Sequence, residues 1–451
     1  MVEVPVKMYV QTLAKNAKKT AGPFSQLPNK VRSQALLAMI DKLSDCKQLI
    51  IEANRQDLEA VSKELEPGAY RQALDRIRVT EENIDSMMQD LQGLHDQPDP
   101  LGEITRLWCT SEGMQVSRVR VPLGVLAVIS DMGPSITVQS FAICLKTGNV
   151  CIFRGGTEWF HTNVFVSQAL REAAEEVGVP SGALTFVDRS EPEAALELVR
   201  LTKWVDAVIP RGKGGLRKGI MDQARVPVIG YDGGVSHMYI DEAADIPLGQ
   251  TLAVNAKIQD STASNSVDTV LIHKNVARHL LPGLLRRCLE EFKVEIRGCP
   301  KTVSMMGIME MSGHLGIKEA NDQDWGQKHQ SMVMSIKIVK DLDEALEHIA
   351  QAGPGHTASI VTRDYDAAMR FTREVAASAV LVNASTRVHS GEQFELGAQI
   401  GMNVTPFHAR GPLTLNTLTS EKYVVFGAGH LQHPHPVPQA YEDAMMMSPR
   451  F

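Results

Sequence analysis

At 451 residues the chain is too long for one simple core and calls for two domains or more. An apolar share of 43%, a charged share of 22% and a net charge of −7 are those of an ordinary soluble globular protein. No Lys/Arg stripe marks a nucleic-acid footprint, and no apolar run nears the roughly 20 residues of a membrane span.

The N-terminus, with Glu3 early and no apolar h-region, does not read as a secretory signal. Six cysteines (Cys46, Cys109, Cys144, Cys151, Cys288, Cys299) show no CxxC or paired spacing. Several sit in apolar segments, as free buried thiols do, which predicts a reducing, cytoplasmic compartment.

The first hundred residues read as helices. Apolar residues recur at three and four over Val10–Lys19, Lys30–Leu43, Lys47–Leu65 and Tyr70–Ile77. Thr80 is the expected N-cap of a further helix opened by Glu81 and Glu82. Thr105–Cys109 and Met114–Val121 then read as a long antiparallel hairpin, suited to subunit pairing or to an ordinary surface. From Pro122 strands alternate with helices. Strands are predicted at Val125–Ile129, Asn149–Phe153, Leu184–Val187, Ala207–Pro210 and Val226–Ile229. Helices are predicted at Pro134–Thr147, His161–Val177, Glu191–Leu201 and from Gly214. The second half repeats the pattern. Its strands are expected at Met238–Ile240, Thr269–His273, Ser335–Val339, Thr357–Thr362 and Ala379–Val382. Its helices are expected at Leu248–Ile258, Val276–Phe292, Asp343–Ala352 and Tyr365–Ala376. Such alternation builds parallel sheets with helices on both faces.

The stretch from Asn255 to Ser266 is the strongest chemical signal. A helix runs into a turn crowded with Ser261, Thr262, Ser264 and Ser266, and a buried strand leaves it. A turn held between two rigid elements positions a reactive side chain well, although a plain polar loop has the same composition. Three glycine-rich turns lie at or near strand ends: Arg154–Glu158, Pro210–Leu216 and Asp232–Ser236. Glycines admit a ligand to the backbone, helix starts attract phosphate, and Arg211 and Lys213 add charge. None is a complete GxGxxG or P-loop. His430, His433 and His435 lie among prolines and read as an irregular tail rather than a metal site. His237 reads as structural, and Asp364 and Asp366 as a solvated helix start.

Several segments together resemble one family: Val121-Pro-Leu-Gly-Val125, Leu145-Lys-Thr-Gly-Asn149, Arg154-Gly-Gly-Thr-Glu158, Asn255-Ala-Lys257, Gly355-His-Thr357, Val382–Arg387, Leu396-Gly-Ala398 and His408–Pro412. The chain resembles, over nearly its whole length, glutamate-5-semialdehyde dehydrogenase, also called γ-glutamyl phosphate reductase, of the aldehyde dehydrogenase superfamily. The resemblance implies an α/β fold of two doubly wound domains plus a small oligomerisation hairpin. The expected divisions are 1–245 with the hairpin at 105–121, 246–412, and 413–451. It also implies a cysteine that attacks γ-glutamyl phosphate, NADPH that delivers hydride to the thioester, and a place in proline biosynthesis. Carried over, it assigns the cofactor to Arg154, Gly155, Gly156, Glu158, Arg211, Gly212, Lys213 and Gly214, and the substrate to Asn255, Lys257 and Asn265.

The chain departs from that pattern at the centre of the chemistry. The family's Gln-Arg-Pro-x-x-Cys-Asn is Gln259-Asp-Ser-Thr-Ala-Ser264-Asn265 here. Ser264 stands at the nucleophile position, Ser135 stands where an Asn supports the oxyanion, and Lys328 replaces an acid. A thiol supplies useful thiolate at neutral pH, whereas a hydroxyl needs a positioned base, and the turn itself offers only Asp260. Two readings follow. One is an active NADPH-dependent reductase with altered chemistry at Ser264. The other, which the three departures favour, is a pseudoenzyme that binds or assembles. It would form a homo-oligomer or meet a partner such as a biosynthetic kinase, with NADPH binding an open question.

Overall fold

The computed structural model describes residues 4–63, 70–212, 214–230, 233–308, 316–353, 355–430 and 432. By contacts the chain forms two compact units: 1–208 with 223–227 and 415–451, and 209–222 with 228–414.

The first unit opens with the helices Val6–Ser25, Asn29–Asp45, Lys47–Ser62, Tyr70–Ile77 and Glu81–Asp96, and Pro134–Lys146, Phe160–Glu176 and Pro192–Leu198 follow between its later strands. The helix Glu81–Asp96 opens as its sequence requires. Thr80 accepts from the Asn83 amide while the Asn83 side chain takes the Thr80 N–H, satisfying two otherwise orphaned donors. A four-stranded sheet follows, in the order Leu184–Phe186, Val150–Arg154, Val125–Ser130, Ala207–Arg211. Val125–Ser130 is buried along its whole length, as a continuous apolar run in a covered parallel sheet must be.

The turn into that strand needs glycine. Gly124 sits at φ +127°, and a Cβ there would meet the Asp206 carboxylate at 2.2 Å. That carboxylate also takes the Val125 N–H at 2.8 Å and pairs with Lys18 at 2.7 Å. Gly124→Ala is therefore expected to cost about 1–3 kcal/mol, read as a lowered urea midpoint. An unchanged midpoint would remove this account of the turn.

The hairpin is Ile104–Cys109 against Gln115–Pro122, and Thr419–Phe426 adds a third antiparallel strand. Leu107, Tyr423, Val425 and Phe426 are exposed on it. Arg106 lies over Trp108, and Trp108 meets Tyr423 edge to face. His430 is held here too, its Nε2 2.6 Å from the Glu112 carbonyl. His433 and His435 lie outside the described residues, as does the tail from 433.

The second unit holds a seven-stranded parallel sheet in the order Ile317–Glu319, Glu295–Gly298, Val333–Val339, Thr269–His273, Val235–Ile240, Gly355–Val361, Ala377–Val382. Alternate residues of its central strands feed two cores. Met238, Ile240, Val270 and Ile272 pack with Leu280, Leu281 and Leu284, while Tyr239, Leu271 and Ile360 pack with Ile349 and Phe371. Val235–Ile240 thus belongs to this unit, and the contact division falls at Val208, well before residue 245.

Two element predictions change. Val226–Ile229 makes only a single bridge, because Pro227 has no N–H to continue a ladder; its carbonyl accepts from Val208. The helix expected over Val276–Phe292 is α-helical for Lys274–Arg286 and loosens into a π turn at Arg287–Glu291.

Candidate functional site

The helix Ile246–Ile258 is capped by Asp245, whose side chain accepts from the Leu248 N–H. It delivers the chain into the hydroxyl-rich turn. There Asp260 accepts from the Thr262 N–H at 3.0 Å and the Thr262 hydroxyl at 2.7 Å. These bonds and the Arg387 guanidinium hold its carboxyl below the ordinary value against the opposing effect of burial. The Val267 N–H returns to the Ala256 carbonyl at 3.0 Å, closing the turn before the strand begins.

Ser264 is half-buried on the wall of a cavity of about 540 Å³ in the second unit. Asn255, Gln259, Asn265, Arg387, His389, Glu392, Gln393 and Gln399 share that wall, and no cysteine does. Asn265 is buried and committed. Its Nδ2 donates to the carbonyls of His389 at 3.0 Å and Arg387 at 3.3 Å, and its Oδ1 receives Arg387 Nη1. Arg387 Nε donates to Gln259 at 2.6 Å. The turn and the segment 387–389 are therefore tied by side-chain hydrogen bonds, not merely adjacent.

The structure brings Asn255, Ser264 and Asn265 onto one wall. Lys257 goes elsewhere. It is fully buried, its Nζ donates to the Ser331 carbonyl at 3.3 Å, and burial pushes it down to about 8 against the pull of Asp268. Asp268 is itself buried, its carboxyl pushed up by burial although the Ser236 and His329 N–H groups donate to it, each at 2.9 Å. Lys328 Nζ donates to the Gly234 carbonyl at 2.9 Å, so this cation is drawn onto the third glycine turn.

The other sequence candidates divide into committed and open. In the first unit Arg154 donates to the Gly155 carbonyl at 2.8 Å and the Ser190 carbonyl at 2.7 Å. Glu158 pairs with Arg76 at 2.5 Å. A Cβ on Gly155 would lie 2.7 Å from Asn163 Nδ2, and one on Gly156 3.1 Å from the Asp131 Cα. A side chain at either glycine would meet the protein's own atoms, Arg154 is bonded to backbone carbonyls, and Glu158 is paired with Arg76. Ser135 is exposed in the first turn of the helix Pro134–Lys146. In the second unit Gly212 sits at φ +137°, and Gly214 opens the helix Gly214–Gln223 with no atom of the described residues, beyond its chain neighbours and its own helix backbone, within 4 Å of a Cβ. A phosphate at a helix start needs that open approach. Arg211 is half-buried beside Gly401. Lys213 lies outside the described residues.

The sequence reading missed His389, which lines the cavity although it is remote from the turn in the chain. Its Nδ1 is 2.9 Å from Thr357 Oγ1, and the same hydroxyl is 2.8 Å from His356 Nδ1. The ring stacks on Phe394 at 5.5 Å. Burial pushes it down to about 4, so it is neutral at pH 7.

The seven-stranded parallel sheet with helices between its strands is an α/β architecture of the aldehyde dehydrogenase kind, and comparison agrees. Residues 6–302 and 330–399 match the Aldehyde dehydrogenase family. The γ-glutamyl phosphate reductase of Thermodesulfovibrio yellowstonii is 38% identical over 95% of this chain and 99% of its own. That of Heliobacterium modesticaldum is 40% identical over 93% and 97%. Among solved structures, the γ-glutamyl phosphate reductase of Thermotoga maritima superposes with a TM-score of 0.88 at 33% identity, covering 94% of this chain and all of that one. The chain belongs to the aldehyde dehydrogenase family and, within it, to the group of γ-glutamyl phosphate reductases.

Proposed function

We propose that this member of the group has lost acyl reduction and acts as a binding or assembly protein on the inherited scaffold. One observation supports the reading: Ser264, which the resemblance assigns to the nucleophile position, lines a cavity that has no cysteine among its lining residues. Cys144, Cys151, Cys288 and Cys299 are buried elsewhere, and burial pushes Cys288 up to about 12. An acyl group on Ser264 would be an ester, a poorer hydride acceptor than a thioester.

NADPH would find a phosphate cradle at Gly212 and Gly214. The turn at Arg154–Glu158 offers it less, because Arg154 is bonded to the Gly155 and Ser190 carbonyls and Glu158 is paired with Arg76. When bound, NADPH supplies hydride. The protein's own residues would hold the acyl-bearing ligand against the amides of Asn255, Gln259 and Gln399. The three-stranded sheet, with its exposed apolar side chains, would pair with a second copy of the chain in a cytoplasmic homo-oligomer. A biosynthetic kinase that makes an acyl phosphate is the natural protein partner.

A paired assay tests this. NADPH binding is followed by fluorescence, and phosphate-dependent NADP⁺ reduction is followed with the semialdehyde. Binding without turnover is expected. Turnover that disappears in Ser264→Ala would restore the reductase reading.

A further inference from the structure

One polar cluster buried in the second unit has no part in the cavity wall. His237, on the strand Val235–Ile240, is buried, and neither of its ring nitrogens is hydrogen-bonded among the described residues. Its ring meets His348 edge to face at 5.7 Å. His348 is buried too. Its Nδ1 is 3.1 Å from Lys337 Nζ, and its Nε2 meets no partner among the described residues. An ammonium only donates, so Nδ1 is the acceptor and the ring's proton sits on Nε2. Three ring nitrogens are thus left without a hydrogen bond in the interior, which native cores rarely leave without a reason. Burial pushes His237 down to about 3 and His348 to about 4, so both are neutral at pH 7.

The surroundings do little to welcome a proton. Lys337 sets a cation beside His348, and Glu344 on the helix of His348 offsets it only in part. Asp324 adjoins Trp325, whose ring meets His348 at 5.6 Å, but its carboxylate is paired with Arg297. On the strands either side of His237, Thr269 brings an uncharged hydroxyl and Ala358 a methyl. Ser335 is in register with Thr269, and its Oγ is 2.9 Å from His329 Nε2.

The residue before His237 holds the turn that carries Ser264. Successive side chains of a strand point to opposite faces. Ser236 Oγ donates to the Ser264 carbonyl at 3.3 Å. The Ser236 N–H donates to the Asp268 carboxylate at 2.9 Å, and the Asp268 N–H returns to the Ser236 carbonyl at 2.9 Å. This end of the strand is the weakly held one. It follows Gly233 and Gly234, and opposite it Gly355–Ala358 takes three steps where Val235–His237 takes two. Such an irregularity leaves ladder bonds unmade, so the first residues of the strand can shift while the sheet stays whole.

We infer that His237 and His348 form an acid-operated latch on the cavity: when the pair takes up a proton, the start of the strand Val235–Ile240 shifts, the Ser236 bonds part, and the turn carrying Ser264 opens. A proton on His237 in the closed form is a buried cation with no acceptor, next to a second ring and a lysine. Water reaching the rings through the opened strand end relieves it. The closed form therefore binds fewer protons than the open one, and acid favours opening. The latch is independent of what the cavity holds, so it neither stands nor falls with the loss of reduction.

Hydrogen exchange by mass spectrometry on the full-length chain, corrected for the pH dependence of intrinsic exchange, tests it. Protection of the amides of residues 264–268 should fall about tenfold or more from pH 7 to pH 5.5, the change that one ring with an open-state value of about 6.5 gives. The strand Val125–Ser130 of the first unit should keep its protection, which separates opening of the turn from global unfolding. His237→Leu should remove most of the fall, and His329→Gln should leave it in place. Ser236→Ala should lower protection of the turn already at pH 7. Equal protection at both pH values in the parent chain overturns the inference, whether or not His237→Leu folds. So does a fall that persists unchanged in His237→Leu, one that His329→Gln removes, or one that Val125–Ser130 shares.

Discussion

Ser264→Cys is expected to leave phosphate-dependent NADP⁺ reduction at least about a hundredfold below that of a related γ-glutamyl phosphate reductase assayed beside it, because one lost oxyanion donor alone has that effect. The new thiol would not lack for charge, since Arg387 shares the cavity. What it would lack, with Ser135 assigned by resemblance to the oxyanion position, is an amide there. Asn265 cannot substitute, because its Nδ2 is divided between two backbone carbonyls and its Oδ1 faces Arg387. Lys328 adds a second obstacle. By resemblance it is assigned to a position held by an acid, and its ammonium is bonded to the Gly234 carbonyl on the third glycine turn. Recovery of full activity in the single variant would show that only one atom separates this chain from its relatives, and would sink the view that the site diverged as a whole.

The parts of the fold that were legible in the sequence are those whose burial is uniform. Val125–Ile129 and Thr269–His273 read as strands because both faces are covered, so every position but the closing His273 is apolar or small. Glu295–Gly298 and Ile317–Glu319 were missed because they lie at the end of the sheet and carry charges that pair locally, Glu295 with Arg297 and Lys318. The helix and strand that flank the hydroxyl-rich turn were legible from their apolar runs. His389 was not, since only the return of a later segment brings it to the same cavity. The Arg154–Glu158 turn shows the opposite hazard. Its glycines resemble a ligand cradle, yet Asn163 and the Asp131 backbone already occupy the space in front of them.

Acidification from pH 7 to pH 5 is expected to lower the urea midpoint sharply. His237 is pushed down to about 3, and His329, His348 and His389 to about 4, in each case chiefly by burial. Their folded values lie below the unfolded value of about 6.5. The folded chain therefore binds fewer protons than the unfolded one between those limits. Each histidine's contribution is complete above about pH 6.5 and is lost as pH falls toward its folded value, by about 1.4 kcal/mol per pH unit. The set would remove on the order of 5 kcal/mol or more by pH 5, comparable to the whole stability of many domains. Three groups bear on the sign. Lys257, at about 8, has already incurred its cost at neutral pH and changes nothing between 7 and 5. Asp268 and Asp57, both pushed up by burial, work the other way, but they are two carboxyls against four rings. His237 gives the sharpest test. It is buried, neither ring nitrogen has a partner, and its ring faces His348 at 5.7 Å. Replacing it with Leu removes a titrating group without breaking a hydrogen bond. His237→Leu should therefore flatten the midpoint's dependence on pH and raise it at pH 5. A midpoint equal at pH 7 and pH 5 in the parent chain would mean that these rings take up protons without opening the core.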